Sequence, residues 1–293
     1  MKKIVSIYKK SVQKNVKDIK SILKKLDIKN PEVFTSCKKY LEMSADNVTK
    51  KWLSGRKYAR TFFVKKAFGK YYPKKYTEIS LSIDAMINIL DDLVDEKINE
   101  QEKLLFILEF IRVYSLCNLN KLKDKIQVAI GHDFHKLITI AISEGIYQKD
   151  IAQEKDFKKV IEKSVEILGC RGTDINVFNE IALTDINNKK IENNIKEIGR
   201  IFRAINIFKK DIEDIEYDRK NNMETLVTLM LSRKNYSLFE YTEALLNEFF
   251  KKAEKIRSSA ESLEKRYKTP IENYYIMIED SKKEIFKLIS KIK

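Results

Sequence analysis

Apolar residues recur at helical spacing along almost the whole chain. The first run, with intervals mostly of three and four residues, comprises Ile4, Ile7, Val12, Val16, Ile19, Ile22 and Leu26. This spacing predicts a helix that ends at the Asn30-Pro31 step, and a second helix begins near Glu32. Pro73 precedes a helix that extends into a group of aspartates. Further helices are predicted at 100–117, 134–147, 156–169, 173–184, 190–219, 237–267 and 271–291.

The composition agrees with an architecture of long helices. The chain holds only 7 Gly and 3 Pro, too few for the turns of a sheet of short strands, and it lacks a nucleotide-binding glycine loop. Its 43% hydrophobic content is sufficient for a sizeable core. We find no internal repeat and no linker rich in Ser, Gly or Pro. The sequence therefore predicts an all-α fold, a single-domain bundle of long helices over residues 1–293 around a central cavity.

The net charge of +15 raises the question of a nucleic-acid partner. The lysines recur along nearly the whole length, on the polar faces of the predicted helices, and neither a zinc finger nor an aromatic RNA-binding signature accompanies them. A solvated surface explains this distribution better, so we predict no nucleic-acid binding. The charge would still attract anionic substrates or an acidic membrane surface.

Three features of the sequence bear on where the protein works. Its cysteines, Cys37, Cys117 and Cys170, have neither paired nor Cys-x-x-Cys spacing, which is typical of a reducing compartment. The basic start is followed by further lysines instead of the apolar core of a signal peptide. No run approaches the roughly 18 apolar residues of a membrane span. These features together predict a soluble, cytoplasmic protein.

Two groups of aspartates carry the candidate chemistry. The first aspartate cluster consists of Asp91, Asp92 and Asp95, and the second consists of Asp211, Asp214 and Asp218. On a helix these spacings stack carboxylates on one face, where like charges repel and favour a bound cation. Hard oxygen ligands suit Mg²⁺, which typically bridges protein carboxylates to substrate phosphates. We therefore predict that both clusters face a shared cavity and bind Mg²⁺ together with a diphosphate.

Both clusters resemble metal motifs of one enzyme superfamily. The segment Asp91-Asp92-Leu93-Val94-Asp95 is a DDxxD motif, and the segment from Gly199 to Asp214 is similar to a second metal motif. In this respect the chain resembles the class I isoprenoid synthases, which include trans-prenyl diphosphate synthases, squalene and phytoene synthases and class I terpene cyclases. The resemblance implies their helical fold around an active-site cavity. It also implies several Mg²⁺ ions, bound with the substrate diphosphate by Asp91, Asp92, Asp95, Asp211, Asp214 and Asp218.

A basic segment upstream resembles a substrate-binding motif of the same superfamily. Ser54-Gly55-Arg56-Lys57-Tyr58-Ala59-Arg60 is similar to the segment with which prenyl diphosphate synthases hold the homoallylic diphosphate. The resemblance implies that Arg56, Lys57 and Arg60 contact a diphosphate, Lys as a point charge and Arg as a fork. A basic helix start without a ligand is the equal alternative.

Three further cations receive a role from the resemblance. Arg171-Gly172-Thr173-Asp174 is similar to the diphosphate sensor of terpene cyclases, in which the arginine lies at a break in a helix, and Gly169 and Gly172 are suited to such a break. Arg171 would then be catalytic and contact the diphosphate. Lys210 and Arg219 would add positive charge where the negative charge of the leaving diphosphate develops.

The sequence departs from each branch of the superfamily at particular positions. Lys97-Ile98-Asn99 stands where chain-elongating synthases carry Arg-Arg-Gly, and Lys210 takes the place of an aspartate beside Asp211. The spaced triad of terpene cyclases is matched only in part by Asn206, Lys210 and Asp214. Asp214 and Asp218, followed by two basic residues, also resemble the second motif of squalene and phytoene synthases.

The leading hypothesis is therefore a terpene synthase: Mg²⁺-dependent ionisation of an allylic isoprenyl diphosphate, followed by carbocation cyclisation or rearrangement. The first alternative is a trans-prenyl diphosphate synthase that condenses isopentenyl diphosphate with an allylic diphosphate. Prenyl transfer to a non-isoprenoid acceptor would use the same metal site. A non-catalytic helical scaffold or pseudoenzyme is the alternative of another class, and a nucleic-acid binder comes last. The resemblance leaves open a homodimer and a transient membrane association through a lipophilic product.

Overall fold

The computed structural model describes residues 59–95, 121–186, 188–233 and 236–292, together with isolated positions before residue 59 and between 95 and 121. Within these ranges the regular structure is helical and contains no strand, which confirms the all-α prediction. The chain divides into two compact units, Met1–Phe62 with Pro73–Leu122 and Phe63–Tyr72 with Lys123–Lys293. A single domain and a central cavity stay predictions. The helices predicted before residue 59 lie outside the described residues, as does most of the helix predicted at 100–117.

In the first unit the structure describes the beginning of one helix and a second helix. Helix α1, Ala59–Phe68, contributes its first four residues, and helix α2 runs over Thr77–Asp95 after a 3-10 turn at Lys74–Tyr76. The apolar side chains of α2 that are buried include Ile79, Ile83, Met86, Ile87 and Ile89, at the spacing that one helix face requires. The first aspartate cluster lies near the end of α2 as described, as the sequence predicts.

The second unit consists of the end of α1 and the remaining helices. These are α3 (Asp124–Gln153), α4 (Phe157–Arg171), α5 (Asn176–Ala182), α6 (Lys189–Glu213), α7 (Ile215–Lys220), α8 (Leu226–Ser232), α9 (Leu238–Ser259) and α10 (Lys265–Ile289). A 3-10 segment, Gly172–Ile175, joins α4 to α5. Helix α6 contacts α4, α5, α9 and α10. It is therefore the central helix of this unit.

The sequence of α6 explains its central position. The side chain of Asn188 caps the helix by accepting from the N–H groups of Lys190 and Ile191, which satisfies two donors that have no partner within the helix. Its buried apolar residues are Ile191, Ile195, Ile198, Ile201, Phe202, Ala204, Ile205, Ile207, Phe208 and Ile212. Burying each large side chain contributes about 1.5–3 kcal/mol. The apolar residues therefore cover more than one face, as expected of a helix with neighbours on several sides.

An aromatic and polar seam joins α6 to α10. Phe202 lies between Phe63 and Tyr274, with ring centroids 4.9 Å and 5.7 Å away. The buried hydroxyl of Tyr274 donates to Asn179 Oδ1 of α5 at 2.8 Å. Burial of the Tyr274 ring raises the pKa of its hydroxyl above the usual value, so this group stays a neutral donor.

Several helix limits differ from the prediction. Helix α10 begins at Lys265, ahead of the predicted start at 271, and contains Pro270. Proline removes one backbone donor, but Pro270, Ile271 and Tyr274 are all buried and their packing offsets that loss. Helix α9 ends at Ser259 and α3 begins at Asp124. The short helix α8, which starts in a Thr225 capping box, was not predicted. None of the described helices is long and apolar enough to cross a membrane.

A close approach fixes where the 3-10 segment meets α6. A Cβ atom on Gly172 would lie 2.5 Å from the carbonyl oxygen of Arg200 and 3.0 Å from the backbone nitrogen of Ala204. Backbone atoms of a buried helix cannot yield as the end of a flexible side chain can. The φ angle of Gly172 is −69°, which any residue can adopt. Glycine is therefore required at this position because no room exists for a side chain.

We expect Gly172→Ala to lower the free energy of unfolding by about 1–3 kcal/mol, because the added methyl group forces the 3-10 segment away from α6. Gly131→Ala is the matched control. Gly131 is an exposed position within α3, and a Cβ there meets no atom within 4 Å, so this change should raise stability by about 0.5–1 kcal/mol. Urea unfolding of both variants measures whether each substitution lowers or raises the free energy of unfolding. Equal effects at the two glycines would contradict the close approach.

Candidate functional site

Arg171 is the last residue of α4, directly before the helix gives way to a 3-10 segment. Helix α4 ends at Arg171, the chain tightens into the 3-10 segment Gly172–Ile175, and α5 begins at Asn176. Of the two glycines predicted to break the helix, Gly172 begins the 3-10 segment, whereas the α-helix continues through Gly169. Gly169 lies one turn earlier within α4, where its missing side chain leaves room for the Arg200 guanidinium. The break places the Arg171 side chain at the end of α4, next to α3 and α6.

Arg171 is shared between two carboxylates from two helices. Its Nη1 donates to Asp211 Oδ2 of α6 at 3.0 Å and lies 3.3 Å from Glu144 Oε1 of α3. The Asp211 side chain is 9% exposed, whereas those of Arg171 and Glu144 are 22% and 25% exposed. The guanidinium therefore lies at the boundary of the core, where an anion from solvent can reach it. Sequence reasoning missed Glu144, which no motif marks.

The second aspartate cluster follows the end of α6. Asp211 lies in its last turn, Asp214 lies between α6 and α7, and Asp218 lies in α7. The Asp218 N–H donates to the Asp214 carbonyl at 2.9 Å, so helical spacing continues across the junction. Asp211 and Asp218 are buried, while about half of the Asp214 side chain is exposed. The backbone therefore keeps the helical spacing predicted for these residues, while their joint role as metal ligands stays a prediction.

The electrostatics of the cluster favour a cation. Burial raises the pKa of Asp218, and the negative charges of Asp211 and Asp214 raise it further. Burial also raises the pKa of Asp211, against the opposing effect of Arg171. A buried carboxylate that faces other negative charges is costly in the ionised form. A bound cation would remove that cost, which is the physical reason to regard this group as a metal site.

The other predicted cations of the second unit are exposed. Lys210 Nζ lies 3.9 Å from Asp214 Oδ2, with 73% of the lysine side chain exposed. Arg219 projects from α7 and is also exposed. An exposed ion pair such as Lys210–Asp214 contributes little to stability. The side chains of Lys210 and Arg219 can therefore move toward an anion at low cost in free energy.

The donor set fits a metal that arrives with an anion better than a preformed cage. Within the part of the chain that the structure describes, no three Asp, Glu, His or Cys side chains converge to hold a metal ion by themselves. Mg²⁺ bound with substrate phosphates needs only one or two protein carboxylates, and Asp214 and Asp218 can supply these. The side chains of Asp91, Asp92 and Asp95 lie outside the described part, so their role as ligands stays a prediction.

A second ion pair fixes the 3-10 segment on α6. Arg203 holds the buried Asp174 with a fork: Nε donates to Oδ1 at 3.0 Å and Nη2 donates to Oδ2 at 2.9 Å. Nη1 of the same arginine donates to Asn206 Oδ1 at 3.2 Å. The aspartate of the sensor-like segment is thus held by α6. Sequence reasoning missed Arg203, although its spacing of three from Asn206 and seven from Lys210 places all three near one face of α6.

Among the predicted diphosphate contacts in the first unit, only Arg60 lies within the described residues, because Arg56 and Lys57 are outside them. Arg60 is 4% exposed. Its Nη1 donates to Asp84 Oδ1 at 3.1 Å and to Asn88 Oδ1 at 2.9 Å, while the Thr61 N–H donates to Asp84 Oδ2 at 2.9 Å. This geometry is that of a buried structural ion pair between α1 and α2. A diphosphate role for Arg60 stays a prediction.

Comparison with known proteins adds no relative. No protein-family model, no curated protein and no solved structure matches the chain. The likeness to isoprenoid synthases therefore rests on the motifs and on the chemistry of the residues around them.

Proposed function

We propose that this protein ionises an allylic isoprenyl diphosphate in a Mg²⁺-dependent reaction and that the second aspartate cluster takes part in binding the magnesium diphosphate. One observation carries the proposal: Arg171 donates to Asp211 at 3.0 Å, and Asp211 lies in a cluster where burial and the charges of Asp211 and Asp214 raise the pKa of Asp218. A magnesium diphosphate presents both charges, so its site needs acidic side chains for the metal and a cation for the phosphates. This cluster offers both on neighbouring helices.

Each residue of the cluster has a distinct role in this proposal. Asp214 and Asp218 would hold the cation, and Asp211 would join them once Arg171 turns from it to the diphosphate. Lys210 and Arg219, both exposed, approach the phosphate oxygens as negative charge develops there. Bound Mg²⁺ supplies charge neutralisation that makes diphosphate a good leaving group. The allylic C–O bond then breaks with its electron pair on the diphosphate oxygen, which leaves an allylic carbocation.

We propose cyclisation or rearrangement as the fate of that carbocation. A chain-elongating synthase needs a second site for the homoallylic diphosphate, and Arg60 is one of its predicted contacts. The Arg60 guanidinium is instead buried and engaged with Asp84 and Asn88. Together with the missing Arg-Arg-Gly segment, this favours a reaction that consumes one isoprenoid substrate over chain elongation.

Incubation with geranyl, farnesyl or geranylgeranyl diphosphate and Mg²⁺, each with and without isopentenyl diphosphate, tests the reaction class. Hydrocarbon or alcohol products from a single allylic substrate are the expected result. Longer diphosphates that form only with isopentenyl diphosphate would replace cyclisation by elongation. Products found only when an aromatic or other nucleophilic acceptor is added would indicate prenyl transfer. Failure of every allylic substrate to release diphosphate would contradict the proposal.

A non-catalytic scaffold is the competing proposal, and one contact favours it. Lys210 lies 3.9 Å from Asp214 and carries a charge that could take the place of one metal charge. The variant Lys210→Met distinguishes the scaffold from the proposed enzyme. If lysine substitutes for metal, this variant should gain affinity for Mg²⁺ alone, measured by calorimetry. If lysine serves the diphosphate, the variant should instead lose affinity for inorganic diphosphate in the presence of Mg²⁺.

A further inference from the structure

Glu144 is a partner of Arg171 that the proposed reaction does not use. It lies on α3, and its Oε1 is 3.3 Å from Arg171 Nη1. The same oxygen accepts from Gln148 Nε2 at 3.1 Å, one turn further along α3. Gln148 is 5% exposed, so a buried amide fixes the direction in which the Glu144 carboxylate points. This carboxylate is therefore held in place toward Arg171.

The two carboxylates that share Arg171 have different surroundings. Asp211 is buried and interacts with the charges of Asp214 and Asp218. The side chain of Glu144 is partly exposed, forms an ion pair with Arg171 and accepts a hydrogen bond from Gln148. The Asp211 carboxylate would turn from Arg171 toward a cation bound at the cluster. The arginine would then keep Glu144 as its counter-charge, and its guanidinium would stay beside the cluster, where it can donate charge-assisted hydrogen bonds to an anion.

We propose that Glu144 is a positioning residue that holds Arg171 next to the second aspartate cluster, so that Asp211 can bind the metal while Arg171 binds the diphosphate. This rests on the proposed function. Without the Glu144 charge, Arg171 loses one of the two carboxylates that share its Nη1, and its ion pair with Asp211 would compete with the metal for that carboxylate. Glu144 would thus act on the site through Arg171 without touching the substrate.

The test is calorimetric titration of the full chain with inorganic diphosphate at fixed Mg²⁺. Glu144→Gln keeps the size of the side chain and removes its charge, and we expect it to weaken binding about tenfold, the value of one charge-assisted hydrogen bond. Glu166→Gln is the matched control, because Glu166 is exposed on α4 and loses the same charge. That control should bind like the wild type.

A second background separates positioning from general structural damage. In an Arg171→Gln protein, Glu144→Gln should change the affinity no further, because the residue through which Glu144 acts is gone. Equal affinity of the wild type and Glu144→Gln, or the same loss in both backgrounds, would overturn this inference and leave the proposed function intact. A wild type that does not bind diphosphate with Mg²⁺ would overturn both.

Discussion

Asp218→Asn should melt at a higher temperature than the wild type at neutral pH and should lose Mg²⁺-dependent activity by on the order of a hundredfold or more. The two effects have one cause. In the metal-free protein the buried Asp218 carboxylate faces the charges of Asp211 and Asp214, and a neutral amide removes that repulsion. The i, i+4 pair with Asp214 alone is worth about 0.2–0.5 kcal/mol. The same amide cannot replace the carboxylate as a metal ligand.

The pH dependence of this stabilisation has a definite sign. Because the pKa of Asp218 is higher in the fold than its ordinary value of 3.8, the folded state resists ionisation more than the unfolded state. Well below pH 3.8 the carboxyl is neutral in both states and the two proteins should be equally stable. As the pH rises through the folded pKa, the wild type loses stability that the amide variant keeps. Melting curves from acid to neutral pH, without metal, measure the difference.

Glu216→Gln is the control for Asp218→Asn. Glu216 lies two residues away on α7 and is exposed, so losing its charge should change neither the melting temperature nor the activity appreciably. A lower melting temperature for Asp218→Asn at neutral pH would contradict the mutual repulsion within the cluster. Full activity in that variant would contradict its role as a ligand. Added stability with lost activity is the pattern of a site kept for function at a cost in stability.

Arg60→Met should be the most destabilising substitution considered, with a loss of about 3–5 kcal/mol in the free energy of unfolding. The change leaves Asp84, which is fully buried, with its carboxylate charge uncompensated. The remaining bond from the Thr61 N–H does not offset the cost of that charge. Total stabilities of about 5–15 kcal/mol mean that this loss threatens folding itself. Urea unfolding monitored by circular dichroism gives the value.

Two further variants show whether the loss comes from the unpaired charge. Arg60→Met combined with Asp84→Leu removes both ions, and replacing a buried pair by apolar side chains is often neutral or stabilising. The double variant should therefore recover most of the loss. Lys66→Met removes the same charge at an exposed position of α1 and should stay within about 0.5 kcal/mol of the wild type. A double variant as unstable as Arg60→Met would show that the stability is lost through poorer packing and not through the unpaired charge.

How far the sequence predicts this molecule depends on whether a feature is local. The apolar spacing in α2 and α6 gives their helical form and their buried faces, and the glycine at 172 marks the break after α4. The prediction at Pro270 is wrong. Proline usually marks a helix start, so the sequence predicts a helix that begins after it, but α10 continues through Pro270 because Ile271 and Tyr274 are packed in the core. The short helix α8 depends on a capping box that apolar periodicity does not detect.

The pairs that define the candidate site lie beyond the reach of periodicity. Arg203 with Asp174, and Arg171 with Asp211, join residues 29 and 40 positions apart. Helical spacing gives the face on which each residue lies and leaves open which helix packs against that face. Motif resemblance marked Arg171 and Asp211 separately, but it could not show that they touch. Glu144 lies outside every motif, and the resemblance gives Arg203 no role within its segment, so only tertiary packing identifies the two residues.

Release of inorganic diphosphate from an allylic isoprenyl diphosphate is the measurement that tests the central claim most directly. The wild type, an Asp214→Asn/Asp218→Asn double variant and the Glu216→Gln control should be compared with and without Mg²⁺, after melting curves confirm that each is folded. We predict Mg²⁺-dependent release by the wild type and the control, with none above background from the double variant. Equal release by all three proteins, or none from a folded wild type, would contradict the account.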